Sequence, residues 1–334
     1  MDAKQAARNA LVCVLEARRG EKLTIICDQA LRSVGDAFSK AALDLGLWTR
    51  MVVLPKPTQP RTEIPPLLES AIIEGRSEIF VNFLKGGADE TPFRITLTKL
   101  EKRRRTRLGH CPGITLDMLT QGALALSEED YRRIQARADE LMAVCHGATG
   151  VRVTNPGGTD LRFSVNGRAW FTDTKLNWET LKRMNLPVGE VIVGPEEFSA
   201  EGKLVCKTAI GGVGIIKKPL TLDVVKGRVE SVTCASQEVK ALVEKVQSTD
   251  DWARRIGEFA FGLNTRARMI QEFLETEKRA GTVHVAFGGN SDFPGGKNHS
   301  RTHQDFLISK PTVTVEFGKE KKEILKDGKF VYTI

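Results

Sequence analysis

Long apolar runs are missing from this chain. The longest, LTIIC at 23–27 and MVVLP at 51–55, fall far short of the roughly 20 consecutive apolar residues that a membrane helix needs, which excludes a spanning helix. Residues 1–20 spread Asp2, Lys4, Arg8, Glu16, Arg18 and Arg19 through an amphipathic pattern. They leave no apolar core of about 7–15 residues for a secretory leader, so the chain is expected in the cytoplasm. Paired cysteines are missing as well. Cys13, Cys27, Cys111, Cys145, Cys206 and Cys234 form no CxxC, which fits reduced thiols better than a disulfide frame or a zinc finger. The basic run KRRRTR at 102–107 has no aromatic residues among its charges, as a single-strand groove would want, and no helix-turn-helix or finger spacing accompanies it. Even with a net charge of +8, nucleic acid is not an expected partner. The glycine clusters GGVG at 211–214 and GGNSDFPGG at 288–296 do not open a helix after a strand, so a dinucleotide fingerprint is excluded. No repeat of about 20–50 residues is visible.

What remains is an ordinary globular composition, 41% hydrophobic and 28% charged over 334 residues, enough for two domains at roughly 100–200 residues each. In the first half the pattern alternates between helical and strand periods: helices over 2–19, 29–46, 66–75, 93–107 and 127–145, and strands over 22–28, 50–56 and 77–83. Strands separated by helices predict a parallel, doubly wound sheet. Ser127, followed by three acids, reads as the cap of the last helix. From Gly150 the period changes to two, with NPGG as a hairpin turn in GVRVTNPGGTDLRFSVNG and strand after strand to the end. Helices are expected near 235–249 and 265–280. The fold class is therefore an α/β domain over 1–148 and an α+β, β-rich domain over 149–334.

Histidine is scarce, at five residues, and three of the five cluster: His284, His299 and His303. His303 and Asp305 form H-x-D, which on a strand puts both side chains on one face within reach of one cation. His284 heads its own apolar alternation. Two acids, Glu190 and Glu258, each follow a glycine and each head a strand-like apolar stretch. A carboxylate among large apolar residues is costly to bury unpaired, and a metal would neutralise it. A solvent-facing glutamate and a hydrogen-bonded H-x-D pair are the plain alternatives.

The order GEV at 189–191, RRIGE at 254–258, GTVHVAFG at 281–288 and N-x-S-x-x-H-x-D-F at 298–306 resembles the thermophilic-type metalloaminopeptidases typified by aminopeptidase T. GGVGIIKKPLTLDVVKGRVESV at 211–232 looks like that family's short, leucyl aminopeptidase-like branch. The resemblance implies two divalent ions held by Glu190, Glu258, His284, His303 and Asp305, and a homodimer. Three carboxylates and two divalent cations leave one positive charge, which a bridging hydroxide cancels; a single ion would leave one negative charge. The implied activity is hydrolysis of a peptide or amide bond beside a free amine by hydroxide bound to the two metals, with Zn, Co or Mn as the ions and Glu258 as a catalytic as well as a ligating group.

The chain departs from the family where the larger peptidases carry a tyrosine thought to help the oxyanion: seven residues after His284 it has Ser291. His299, Asn298 or Lys297 could supply a compensating hydrogen bond, and His299 is kept as a catalytic candidate. His110, in RLGHCPGIT, reads as a loop histidine with a substrate-binding or acid–base role as its functional alternative. The same fold family includes ring-cleaving iron enzymes acting on dihydroxypyridine. His284, His303 and Asp305 could form the facial triad for such an Fe(II) dioxygenase, but Glu190 and Glu258 would then lack a cation.

Overall fold

The computed structural model describes residues 1–332. The chain divides into two compact units, one of residues 1–135, 173–188 and 264–268, the other of 136–172, 189–263 and the described residues from 269 on.

The first unit is built on a five-stranded, wholly parallel sheet in the spatial order Trp48–Leu54, Lys22–Asp28, Ile79–Leu84, Arg107–Pro112, Arg183–Asn185. Strands such as Ile79–Leu84 are buried along their whole length, as a parallel sheet covered by helices on both faces requires. On one face Ile26, Phe80, Leu84 and Leu108 meet Leu68 and Ile72 of helix Pro66–Gly75 and Phe93 and Leu97 of helix Thr91–Glu101. On the other, Phe83 packs against Phe38 of helix Arg32–Asp44, ring centroids 4.8 Å apart.

Two expectations fail here for local reasons. The stretch around His110 is the buried strand Arg107–Pro112, not a loop. Gly109 and Pro112 resemble loop residues, but Gly109 is there for packing, since a Cβ would lie 2.8 Å from Leu186 Cδ1. The helix expected over 93–107 stops at Glu101, because Lys102 takes an extended backbone. The basic run thus forms the connection to that strand: Arg103 donates to the Ile72 carbonyl at 3.0 Å, and Arg107, the strand's first residue, is buried against Glu21 at 2.6 Å.

The second unit holds two antiparallel sheets. One has eight strands in the order Arg228–Cys234, Leu220–Val225, Glu201–Cys206, Asp160–Ser164, Gly150–Thr154, Thr312–Phe317, Glu320–Lys326, Lys329–Phe330. Its burial alternates, as in Leu220–Val225, so it has one covered face. The other has seven, in the order Gly214–Ile215, Ala209–Ile210, His303–Ile308, Val283–Gly288, Ile256–Gly262, Glu190–Val193, Phe171–Thr172. Its central strands are buried throughout, so both faces are covered. One face carries Phe259 against Phe163 of the first sheet, centroids 5.3 Å apart.

The helix expected near 265–280 is reduced to Phe273–Thr276. The composition favours a helix, but Glu275, Thr276, Glu277 and Lys278 are all buried, and four consecutive buried residues do not fit the one covered stripe of a surface helix. Thr276 Oγ1 clamps the turn instead, accepting from the Ile270 N–H at 2.9 Å and donating to the Ile270 carbonyl at 2.8 Å.

Candidate metal centre

Side chains alternate across a strand, and residues paired across an antiparallel ladder share a face. Register pairs Gly262 with Glu190, Ala260 with His284, Glu258 with Ala286, Asp305 with Ala286 and His303 with Gly288. Glu190, Glu258, His284, His303 and Asp305 therefore fall on one face of four neighbouring strands. The residues between them on that face are small: Ala260, Gly262, Ala286 and Gly288. The opposite face carries Phe259, Phe261, Val285 and Phe287, all buried. Alternation thus builds a row of polar donors over an apolar floor.

The donors form two sets, Glu190–Glu258–His284 and Glu258–His303–Asp305, each close enough to hold one ion, and Glu258 belongs to both. His284 Nε2 lies 3.1 Å from Glu258 Oε1 and 3.8 Å from Asp305 Oδ1, and its Nδ1 lies 3.6 Å from Glu190 Oε1. His303 Nε2 lies 3.0 Å from Glu258 Oε2 and 3.4 Å from Asp305 Oδ1. Burial by itself would raise the Glu258 carboxyl, but hydrogen bonds from His284 and His303 hold it well below the usual range. Burial opposes charge on His284, yet Glu190 and Glu258 lift it to about 10. Burial likewise opposes charge on His303, and Asp305 and Glu258 lift it well above its ordinary value. In the metal-free protein these imidazoles are the cations beside Glu258 and Asp305.

His303 Nδ1 lies 2.8 Å from the Gly289 carbonyl. A carbonyl only accepts, so Nδ1 carries the proton and Nε2 is the nitrogen presented to the carboxylates, the arrangement by which an outer partner fixes the tautomer of a ligating histidine. The loop that follows is fastened at several points. Asn290 Nδ2 donates to the Gly257 carbonyl at 2.9 Å, and Asn298 Nδ2 to the Trp252 carbonyl at 3.2 Å. Glu197, paired with the buried Arg168 at 2.6 Å, accepts from the Lys297 N–H at 2.7 Å.

The glycine before each glutamate has a backbone reason. Gly189 sits at φ 140°, where an L side chain is strained. At Gly257 the ladder shifts register between Ile256 and Glu258, a bulge that re-aims the next side chain, and a Cβ there would lie 2.2 Å from the Gly288 carbonyl oxygen. Gly257→Ala is expected to cost about 1–3 kcal/mol through backbone overpacking and to weaken metal binding through Glu258. Chemical denaturation with and without metal measures both effects.

Of the groups proposed as catalytic from the sequence, Glu258 lies in the cluster. His299 is exposed on the loop and belongs to neither donor set. Asn298 is wholly buried as a loop anchor, while Lys297 and Ser291 are exposed. His110 belongs to the first unit, where burial, then Arg183 and Arg94, push its pKa well down. Two groups went unnoticed in the sequence: Lys278, whose ammonium donates to Glu190 Oε2, and Glu277, whose Oε1 lies 3.0 Å from that ammonium. Both lie inside the helix expected near 265–280, and their only distinguishing signal is the place of EK just before GTVHVAFG.

The model of the family described as thermophilic metalloprotease (M29) matches residues 125–330, a span that contains all five donors. No curated protein matches the chain in sequence. Among solved structures, wild-type AmpT from Thermus thermophilus is similar at 16% identity and TM-score 0.73, covering 99% of each chain. The 2,5-dihydroxypyridine dioxygenase from Pseudomonas putida KT2440 is similar at 17% identity and TM-score 0.71, covering 99% of this chain and 97% of that one. At these identities the likeness is one of fold.

Proposed function

The chain belongs to the thermophilic metalloprotease (M29) family and is a metalloaminopeptidase-like hydrolase, and from that premise we propose that it removes residues from the free-amine end of small peptides at a centre of two divalent ions. The observation that carries the number of ions is the pair of donor sets sharing Glu258. In this reading Glu190, Glu258 and His284 hold one ion and Glu258, His303 and Asp305 the other. The donors fit the group: Glu190, Glu258 and His284 are at most 6% exposed, and carboxylates and an imidazole converging so closely are a divalent-ion donor set. Two imidazoles and three carboxylates suit Zn, Co or Mn. Divalent ions bound there supply Lewis acidity and lower the pKa of water.

The protein's own groups do the positioning. Gly289 holds His303 in one tautomer, and the fastened loop keeps Gly289 in place. The phenylalanine layer beneath the donors is wholly buried, which strengthens every electrostatic interaction above it. Tyr131 lies in the first unit and Tyr332 close to the C-terminus, so a phenol in the family's oxyanion position is not part of this reading. A homodimer is retained from the family resemblance.

An aminoacyl substrate and its N-acetylated form test the reading. The free amine is expected to be hydrolysed at least about tenfold faster, the scale of one lost polar contact at about 1.4 kcal/mol. The activity is expected to vanish on chelation and return with Zn, Co or Mn. Equal rates on both substrates would rule out the aminopeptidase assignment. The second reading, a mononuclear Fe(II) dioxygenase of hydroxypyridines, draws on the closeness of His284 and His303 to Asp305. It predicts one iron per chain and oxygen uptake, and it leaves Glu190 and Glu258 out of the ligand set.

A further inference from the structure

The two donor sets differ in one respect that rests on the dinuclear reading but goes beyond it. Lys278 is 1% exposed, and its ammonium lies between Glu190 and Glu277. A buried ammonium persists only when paired, so these carboxylates are its counter-ions. Glu190 thus faces two cations at once, the fixed ammonium at Oε2 and the position it shares with Glu258 and His284 at Oε1. Among the described residues, no lysine or arginine pairs with Glu258 or Asp305, whose ion-pair partners are the two histidines. An ammonium repels a divalent ion bound to the carboxylate it already holds, and in a dry site this repulsion is weakly screened.

We propose that Lys278 is a positioning residue and built-in counter-cation that makes the two metal positions unequal: the ion at Glu258, His303 and Asp305 binds first and tightly, and the ion at Glu190, Glu258 and His284 binds second and exchangeably. Lys278 acts through Glu190 and leaves the first position alone. Glu277 shares the ammonium's charge and so moderates the repulsion. Occupancy of the second position, and with it turnover, then follows the free metal concentration.

The test is a binding isotherm of Mn²⁺, and separately of Zn²⁺, on the chelated protein of 334 residues at about pH 8, by calorimetry with elemental analysis of the dialysed product. The wild type is expected to bind two ions in two resolved steps. Lys278→Met is expected to tighten the second step at least tenfold with the first unchanged, and Glu277→Gln to weaken the second step by a similar factor. The opposite directions keep the test decisive if one variant fails to fold. A second step unmoved by either variant, weakened by Lys278→Met, or lost together with the first would overturn the inference. A wild type that binds a single ion would overturn the dinuclear reading instead.

Discussion

Glu258→Gln is expected to lower peptide turnover on the order of a thousandfold, and to reduce bound metal from two ions per chain to one or none, while the protein stays folded. Glu258 is the one residue common to both donor sets, and both its oxygens are engaged, Oε1 by His284 and Oε2 by His303. The substitution preserves volume and removes one negative charge. At about 4 Å and an effective dielectric near 20 a unit pair is worth about 4 kcal/mol, which is roughly three decades in affinity. The amide also brings a donor to a place where two imidazoles already donate. The fold should survive, because the substitution leaves the bulge at Gly257 and the ladder to Val283–Gly288 intact. Elemental analysis, circular dichroism and steady-state rates together check the result. A variant with wild-type turnover and two ions would remove Glu258 from the centre altogether, whereas one iron per chain in both proteins would point to the dioxygenase.

Much of this was readable from residues because strands carry it. Alternation over VHVAFG and HQDFLI puts His284, His303 and Asp305 outward from an apolar layer, and such a period survives folding because one face must be buried. The Gly-Glu pairs marked two acids of the cluster without revealing why a glycine precedes each, since a close backbone approach such as Gly257 against Gly288 depends on a neighbour 31 residues away in sequence. Lys278 was illegible for a different cause. The segment at 265–280 has helical composition, and tertiary burial of Glu275 to Lys278 overrides local propensity, so the ion pair forms inside the protein where a helix is expected. His110 was misread in the opposite sense: a glycine beside it and a proline two residues later imitate a loop, while the parallel neighbours Ile79–Leu84 and Arg183–Asn185 make it a central strand.

The gap in thermal stability between the metal-loaded and the chelated protein is expected to widen steadily from pH 5.5 to pH 8.5. Without metal, His284 is raised to about 10 by Glu190 and Glu258 working against burial, and His303, still partly open to solvent, is raised by Asp305 and Glu258. A raised histidine stabilises the fold fully below its unfolded value near 6.5 and loses that contribution as pH climbs through the folded value. Glu258 is depressed, so its contribution is present above about 4.5 and is lost as pH falls towards its folded value. The cluster therefore supports the metal-free fold best between about 4.5 and 6.5. Ligation requires both imidazoles to be neutral, so each must release a proton when an ion binds. Apparent metal affinity then gains up to about tenfold per pH unit for each of the two while they remain protonated. The two trends add: the metal-free protein weakens as pH rises while the bound ions stabilise more. Calorimetric scans of both forms at three pH values, with proton release on metal addition measured in buffers of different ionisation enthalpy, give the slope directly. A stability gap independent of pH would mean that His284 and His303 do not exchange protons for metal, and the ligand set would have to be drawn from the carboxylates alone.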